Sequence, residues 1–176
     1  TFMLALNEIS VQQIFSALYA NTDLKKEPMS GGRQMGSHFM SNYIDEKGDF
    51  IDSTQKYNSS ADISPTSGQM PRLLGLAMAS KLYREGSFNS KNFSNNGNEV
   101  AWGTIGNAST SEGPFFEVFN AAGVHQVPMI ISVWDDEYGI SVNNSYQTTK
   151  SSISKALHGF KRDKSCLLYT SDAADE

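Results

Sequence analysis

Gly106-Asn107-Ala108-Ser109-Thr110-Ser111-Glu112-Gly113 follows an apolar run from Glu99 to Ile105, and Asp135-Asp136-Glu137-Tyr138-Gly139 follows a second run from Met129 to Trp134. Short apolar runs bounded by turn residues read as buried strands, and Pro114 to Val124 between them reads as a helix. Parallel strands joined by a crossover helix end at one sheet edge, where ligands of open α/β sheets sit. Two oxygen-rich turns then open on the same space, and Asn107 and Asp136 are expected to be neighbours. Hard cations take oxygen ligands, and the N–H groups of a helix N-terminus favour anions. The two turns together suit a divalent metal and a diphosphate.

Outward from this unit the pattern stays α/β. Ser10 precedes Val11, Ile14, Phe15, Leu18 and Tyr19, a helical spacing with a serine cap. Residues 28–68 are rich in Gly, Ser, Asn and Asp without sustained periodicity, which predicts long irregular connections. A second helix is expected from about Pro71, its apolar surface broken by Gly75, Ala77 and Ala79, small residues that permit close approach. The polar stretch from Gly86 to Asn98 reads as a surface loop or flexible insertion, and Ser151 to Phe160 as a further helix. Strands alternating with helices predict a parallel sheet flanked by helices.

The last residues, Cys166 to Glu176, resemble a translated sequencing adapter and are expected to lie outside the native fold. Residues 1–165 are then one partial domain and 166–176 a non-native tail. Excluding the tail removes Asp172, Asp175 and Glu176, so the net charge moves from −5 to −2. A near-neutral body has no basic stripe for nucleic acid. The single cysteine, Cys166, falls in the tail, so no disulfide framework is expected. No run reaches the roughly 18 apolar residues of a membrane span. A cytoplasmic protein fits these features.

The paired turns resemble the thiamine diphosphate motif, whose usual form is Gly-Asp-Gly, a similar interval, then Asn-Asn. The match is closest to the alpha-type half of the first component of 2-oxo acid dehydrogenase complexes. Ser111-Glu112-Gly113, Asn120-Ala121-Ala122, Val127-Pro128 and Tyr138-Gly139-Ile140-Ser141 are similar to that family. So are Gly32-Arg33-Gln34-Met35-Gly36-Ser37-His38-Phe39, best known from its branched-chain members, and Ser64-Pro65-Thr66-Ser67-Gly68-Gln69-Met70-Pro71. The resemblance implies the thiamine diphosphate-binding fold, here incomplete. It implies oxidative decarboxylation of a 2-oxo acid, branched-chain or pyruvate, with transfer of the acyl group to a lipoyl domain. Thiamine diphosphate and magnesium would be the cofactors. A beta-type half and a lipoyl-bearing acyltransferase would be the partners, and the isolated fragment would be inactive.

Carried over residue by residue, the resemblance assigns Asn107, Asp136 and the Tyr138 backbone carbonyl to the metal. It assigns Gly106, Asn107, Ala108 and Ser109 to the diphosphate, Ser64, Pro65 and Thr66 to the aminopyrimidine or a monovalent cation, and His38 to catalysis. Each has a plainer reading. Asn107 can cap the following helix, Asp135-Asp136 can be a solvated turn, and Ser64-Pro65 can be an ordinary turn before a helix. His38 has no identified partner and reads equally as a structural histidine. Gly68 stands where the family has threonine, which counts against a potassium site. Asn107 stands where the family has an acidic ligand, and Asp136 where it has asparagine. Amide and carboxylate are exchanged, both oxygens and one charge survive, and Asn107→Asp is expected to retain or tighten metal-dependent binding. The alternatives are a transketolase-like thiamine enzyme and a noncatalytic homologue serving as an assembly module.

Overall fold

The computed structural model describes residues 2–34, 39–89, 91–149 and 152–160. Contacts divide the chain into two compact units, drawn from Thr1–Ser64 with Tyr83–Asn98 and from Pro65–Leu82 with Glu99–Glu176.

The first unit opens with helices α1 (Phe2–Ala5) and α2 (Val11–Leu18). The Ser10 hydroxyl accepts the Gln13 N–H at 3.2 Å while the Gln13 side chain accepts the Ser10 N–H at 2.8 Å. This reciprocal capping box satisfies two donors that the first turn leaves without partners. The expected stripe is present but faces outward: Val11, Phe15, Leu18 and Tyr19 are exposed, and Ala17 is the one buried residue of α2. Beyond α2 the chain runs in turns, with Asp23 accepting the Lys25 N–H and Asp45 those of Lys47 and Asp49. The 86–98 segment, expected to be a surface loop or flexible insertion, is a largely exposed loop that is anchored at several points. Phe93 meets Phe50 edge-on at 5.0 Å, Ser53 donates its N–H and its hydroxyl to the Asn92 carbonyl, and the Arg84 guanidinium grips the Gly97 carbonyl.

The second unit holds most of α3 (Gln69–Arg84), then β1 (Ala101–Gly106), α4 (Gly113–His125) and β2 (Met129–Trp134). Strands β1 and β2 pair in parallel from Ala101↔Met129 to Gly106↔Trp134, with α4 as the crossover. Alternate residues point to opposite faces. Ile105, Met129, Ile131 and Val133 pack with Met70, Leu74, Phe115, Val118, Phe119, Leu157 and Ile153. Burying a side chain such as Phe115 contributes roughly 1.5–3 kcal/mol. The other face carries Trp102, Ile130 and Trp134, all exposed, and is tied by the Trp102 indole N–H donating to the Ser132 hydroxyl at 2.8 Å. The expectation of a buried strand at Glu99 to Ile105 is corrected: one face is covered and the other open.

Helix α3 buries Met70, Leu73, Ala77 and Ser80. Its close approach to β1 occurs at Gly103, where an added Cβ would lie 2.7 Å from Leu73. Gly75, expected to serve that purpose, has nothing within 4 Å. Helix α4 has Pro114 in its first turn, where the missing N–H has no helical partner to lose, and ends at Gln126 with φ +50°. A short antiparallel pair follows, β3 (Tyr138–Gly139) with β4 (Val142–Asn143). Last comes α5 (Ile153–Ala156), running into a 3₁₀ turn at Leu157–Phe160. Among the described residues no helix is long and apolar enough to cross a membrane.

Candidate functional site

The register of β1 and β2 sets the site. Gly106 pairs with Trp134, and the Asn107 N–H donates to the Trp134 carbonyl at 3.0 Å, so the two turns leave the sheet side by side. Asn107 begins a tight turn. Its carbonyl accepts the Thr110 N–H at 3.1 Å and the Thr110 hydroxyl at 2.6 Å, and a 3₁₀ helix at Ala108–Ser111 leads into α4. Asn107 and Thr110 are buried.

The second turn is made by two successive aspartates. Asp135 Oδ1 accepts the Glu137 N–H at 2.9 Å, and Asp136 Oδ1 accepts the Tyr138 N–H at 3.1 Å. Short carboxylates bonding the backbone two residues ahead make such turns locally stable. Glu137 adopts φ +66°, which reverses the chain into β3. Gly139 then lies against the first turn, where a Cβ would stand 2.5 Å from the Ala108 Cβ and 2.8 Å from Gln147 Nε2. Only glycine lets the hairpin approach so closely. Gln147 ties both pieces, donating to the Val142 carbonyl at 2.6 Å while its own carbonyl accepts the Ser111 hydroxyl at 3.1 Å.

The amide of Asn107 donates through Nδ2 to Asn144 Oδ1 at 2.7 Å, and Asn144 Nδ2 donates to Asp135 Oδ1 at 3.1 Å. The two turns are thus joined through Asn144 to Asp135, the residue beside Asp136. Asp136 is exposed, with one oxygen on the Tyr138 N–H, and Ala108 and Ser109 are half-buried. The Asn107 amide oxygen, the Asp136 carboxylate and the backbone carbonyls of the two turns are all oxygen donors, of the kind a hard cation takes. Donors of this chemistry are the ones magnesium takes, while among the described residues no group of three or more His, Cys, Asp or Glu gathers to hold a metal.

Ser64, Pro65 and Thr66 are exposed in the turn before α3, closed by the Gly68 N–H on the Pro65 carbonyl at 2.9 Å. Beside them Ser67 is 1% exposed at φ +63°, with a hydroxyl that has no hydrogen-bond partner among the described residues. The Gln69 side chain donates to the Thr104 carbonyl on β1 at 3.2 Å. His38 lies outside the described residues.

In the first unit, Arg33 and Gln34 follow a cradle that sequence reasoning missed. The Glu27 carboxylate is fully buried and accepts the N–H groups of Met29, Ser30 and Gly32 and the Ser30 hydroxyl at 2.8 to 3.0 Å. Burial works to raise its pKa. The bonds from Gly32, Ser30 and Met29 outweigh that and hold the carboxyl below its ordinary value. Gly32 sits at φ +77°, and a Cβ there would meet the Ala20 carbonyl at 2.6 Å. An acid ahead of Ser30-Gly31-Gly32 was the available signal. For Asn144 it was a second asparagine directly after a hairpin.

The family described as "Dehydrogenase E1 component" matches residues 2–161 of the chain. Among characterised proteins, the 2-oxoisovalerate dehydrogenase subunit alpha of Bacillus subtilis (strain 168) is 28% identical over 134 residues, which cover 76% of this chain and 33% of that protein. The chain therefore spans about a third of that relative's length.

Proposed function

The chain belongs to the dehydrogenase E1 component family, and from that premise we propose that it is the diphosphate-binding part of an alpha-type half. The parent enzyme would oxidatively decarboxylate a 2-oxo acid with thiamine diphosphate and magnesium. The observation that carries this reading is the parallel register that brings Asn107 onto the Trp134 carbonyl, so that both oxygen-rich turns leave one sheet edge. The thiamine diphosphate-binding fold is the architecture in which that edge would be completed.

In this reading Asn107 Oδ1, Asp136 and the Tyr138 carbonyl hold magnesium, and Gly106, Asn107, Ala108 and Ser109 line the diphosphate. Ser64, Pro65 and Thr66 approach the aminopyrimidine, and His38 is the candidate proton-transferring group. The bound cofactor would supply the nucleophilic carbon that adds to the keto group. The chain's own part is to anchor the diphosphate, neutralise its charge through the metal and exclude water from the turn. The similarity to a 2-oxoisovalerate dehydrogenase subunit and the Gly32-Arg33-Gln34-Met35 segment favour a branched-chain 2-oxo acid over pyruvate. A beta-type half and a lipoyl-bearing acyltransferase complete the assembly, which we place in the cytoplasm. Residues 1–165 form the native part of the chain and 166–176 a non-native tail.

A second reading, a noncatalytic assembly module, is favoured by one observation: an amide at position 107 in place of an acid. Calorimetric titration of thiamine diphosphate into the complete parent with its beta-type half separates the two. Binding that requires magnesium and is abolished by a chelator is expected. Absence of binding at millimolar cofactor would establish the module reading instead.

A further inference from the structure

We infer that Asn144 is a positioning residue that fixes which end of the Asn107 amide faces the metal. The inference rests on the proposed function and deepens it. A carboxylate such as Asp135 accepts and does not donate, so Asn144 turns its NH₂ toward it, as the 3.1 Å bond records. The Asn144 carbonyl oxygen is then directed at Asn107, and only the Asn107 NH₂ can answer it at 2.7 Å. Hydrogen-bond polarity therefore runs one way, from Asn107 through Asn144 to Asp135. Asn107 Oδ1 is left as the end available to a cation.

A carboxamide turned by half a rotation keeps its shape and exchanges oxygen for N–H. At a metal ligand that exchange replaces a donor oxygen with a repelled N–H. Without Asn144 nothing else among the described contacts of the Asn107 side chain opposes it. Asn144 is itself held, its N–H on the Glu137 carbonyl and its carbonyl under the N–H groups of Gln147 and Thr148, each at 2.9 Å. The amide at 107 is thus matched to its neighbour. An aspartate there has no proton for Asn144 Oδ1, so the exchange Asn107→Asp, expected from sequence to retain or tighten metal-dependent binding, sets two acceptors against each other.

Two variants and two measurements test this. Asn144→Ala removes the acceptor that Asn107 uses. Asn144→Asp, made throughout together with Asp135→Asn so that two carboxylates never face each other, keeps an acceptor for Asn107 and returns a donor at position 135. In the complete parent with its beta-type half, magnesium titration at fixed thiamine diphosphate should show the half-saturating concentration raised about tenfold or more by Asn144→Ala, the usual scale for outer-sphere ligand partners. Asn144→Asp should stay close to wild type. In the full 176-residue chain labelled with ¹⁵N-asparagine, free of metal and cofactor, the Asn107 side-chain NH₂ should exchange slowly in wild type and Asn144→Asp, and fast in Asn144→Ala. Unchanged titration and exchange in Asn144→Ala would overturn the inference. So would an Asn144→Asp with Asp135→Asn that fails as Asn144→Ala does, since supplying an acceptor to Asn107 would then not be what the residue does. A wild-type parent without magnesium-dependent binding would defeat the proposed function alone, leaving the exchange measurement to decide the role of Asn144.

Discussion

Glu27 and Asn107 are both buried polar side chains, 0% and 3% exposed, and they differ in what is left over. The Glu27 carboxylate is wrapped by the N–H groups of its own turn. Asn107 engages its side chain through Nδ2 alone among the described residues. A buried polar group that is bonded all round holds a fold together. One that keeps an unused oxygen where two strand ends converge can receive a ligand. The comparison teaches that bonding capacity left over, rather than burial, separates a structural polar residue from a binding one.

The largest effect expected is at Glu27. Glu27→Ala leaves the N–H groups of Met29, Ser30 and Gly32 without their acceptor, and hydrogen bonds to a charged group contribute about 1.5–3 kcal/mol each. Urea unfolding of the chain should show a loss of at least ~3 kcal/mol, and a loss under ~1 kcal/mol would break the comparison at its structural end. Glu27→Gln sharpens the same point through pH. Because the native pKa is lowered, the carboxylate's contribution is complete above the ordinary glutamate value of about 4.3 and disappears as pH falls through the lower native value. The glutamine variant should flatten that part of the acid stability curve, and an unaltered curve would show that Glu27 is not its source.

Next comes Gly139→Ala, whose methyl must displace Ala108 or Gln147 and should destabilise by about 1–3 kcal/mol, as overpacking does. Thermal unfolding reads this directly, and a melting temperature equal to wild type would mean that the hairpin is free to move away. Asp136→Ala inverts the pattern. In the parent it should weaken thiamine diphosphate binding at fixed magnesium at least tenfold, about 1.4 kcal/mol, with little change in melting because Asp136 is exposed. Equal loss of stability at Asp136 and Glu27 would erase the distinction between them. Smallest of all, deletion of residues 166–176 should leave unfolding unchanged, and a clear drop would show that the tail belongs to the fold.

The crossover unit was legible because its signals are local. Met129 to Trp134 is apolar, of strand length, and bounded by Val127-Pro128 and Asp135-Asp136, and the strand occupies those residues. Ser10 and Pro114 marked helix starts for equally local reasons. The open face was not legible, since a run of apolar residues says that a strand can be covered on both sides without saying what covers it. Of the small residues on α3, Ala77 is fully buried as close packing requires, while Gly75 is open and a further tight contact forms at Gly103 on the strand, because the partner's surface decides where a gap is needed. Asn144 is 37 residues from Asn107, so no local pattern links them. The Glu27 cradle depends on backbone turning at Gly31 and Gly32, both at positive φ, which composition permits but does not specify.

Trp102 and Trp134 are the chain's two tryptophans, and both stand on the open face of β1 and β2. The whole indole emission of the molecule therefore originates from one surface. Both rings are water-exposed, so the spectrum should peak at long wavelength. Anything that settles on that surface would shift it to the blue and protect it from a soluble quencher such as acrylamide. The protein thus carries its own optical probe of the uncovered side of its sheet, with no label required.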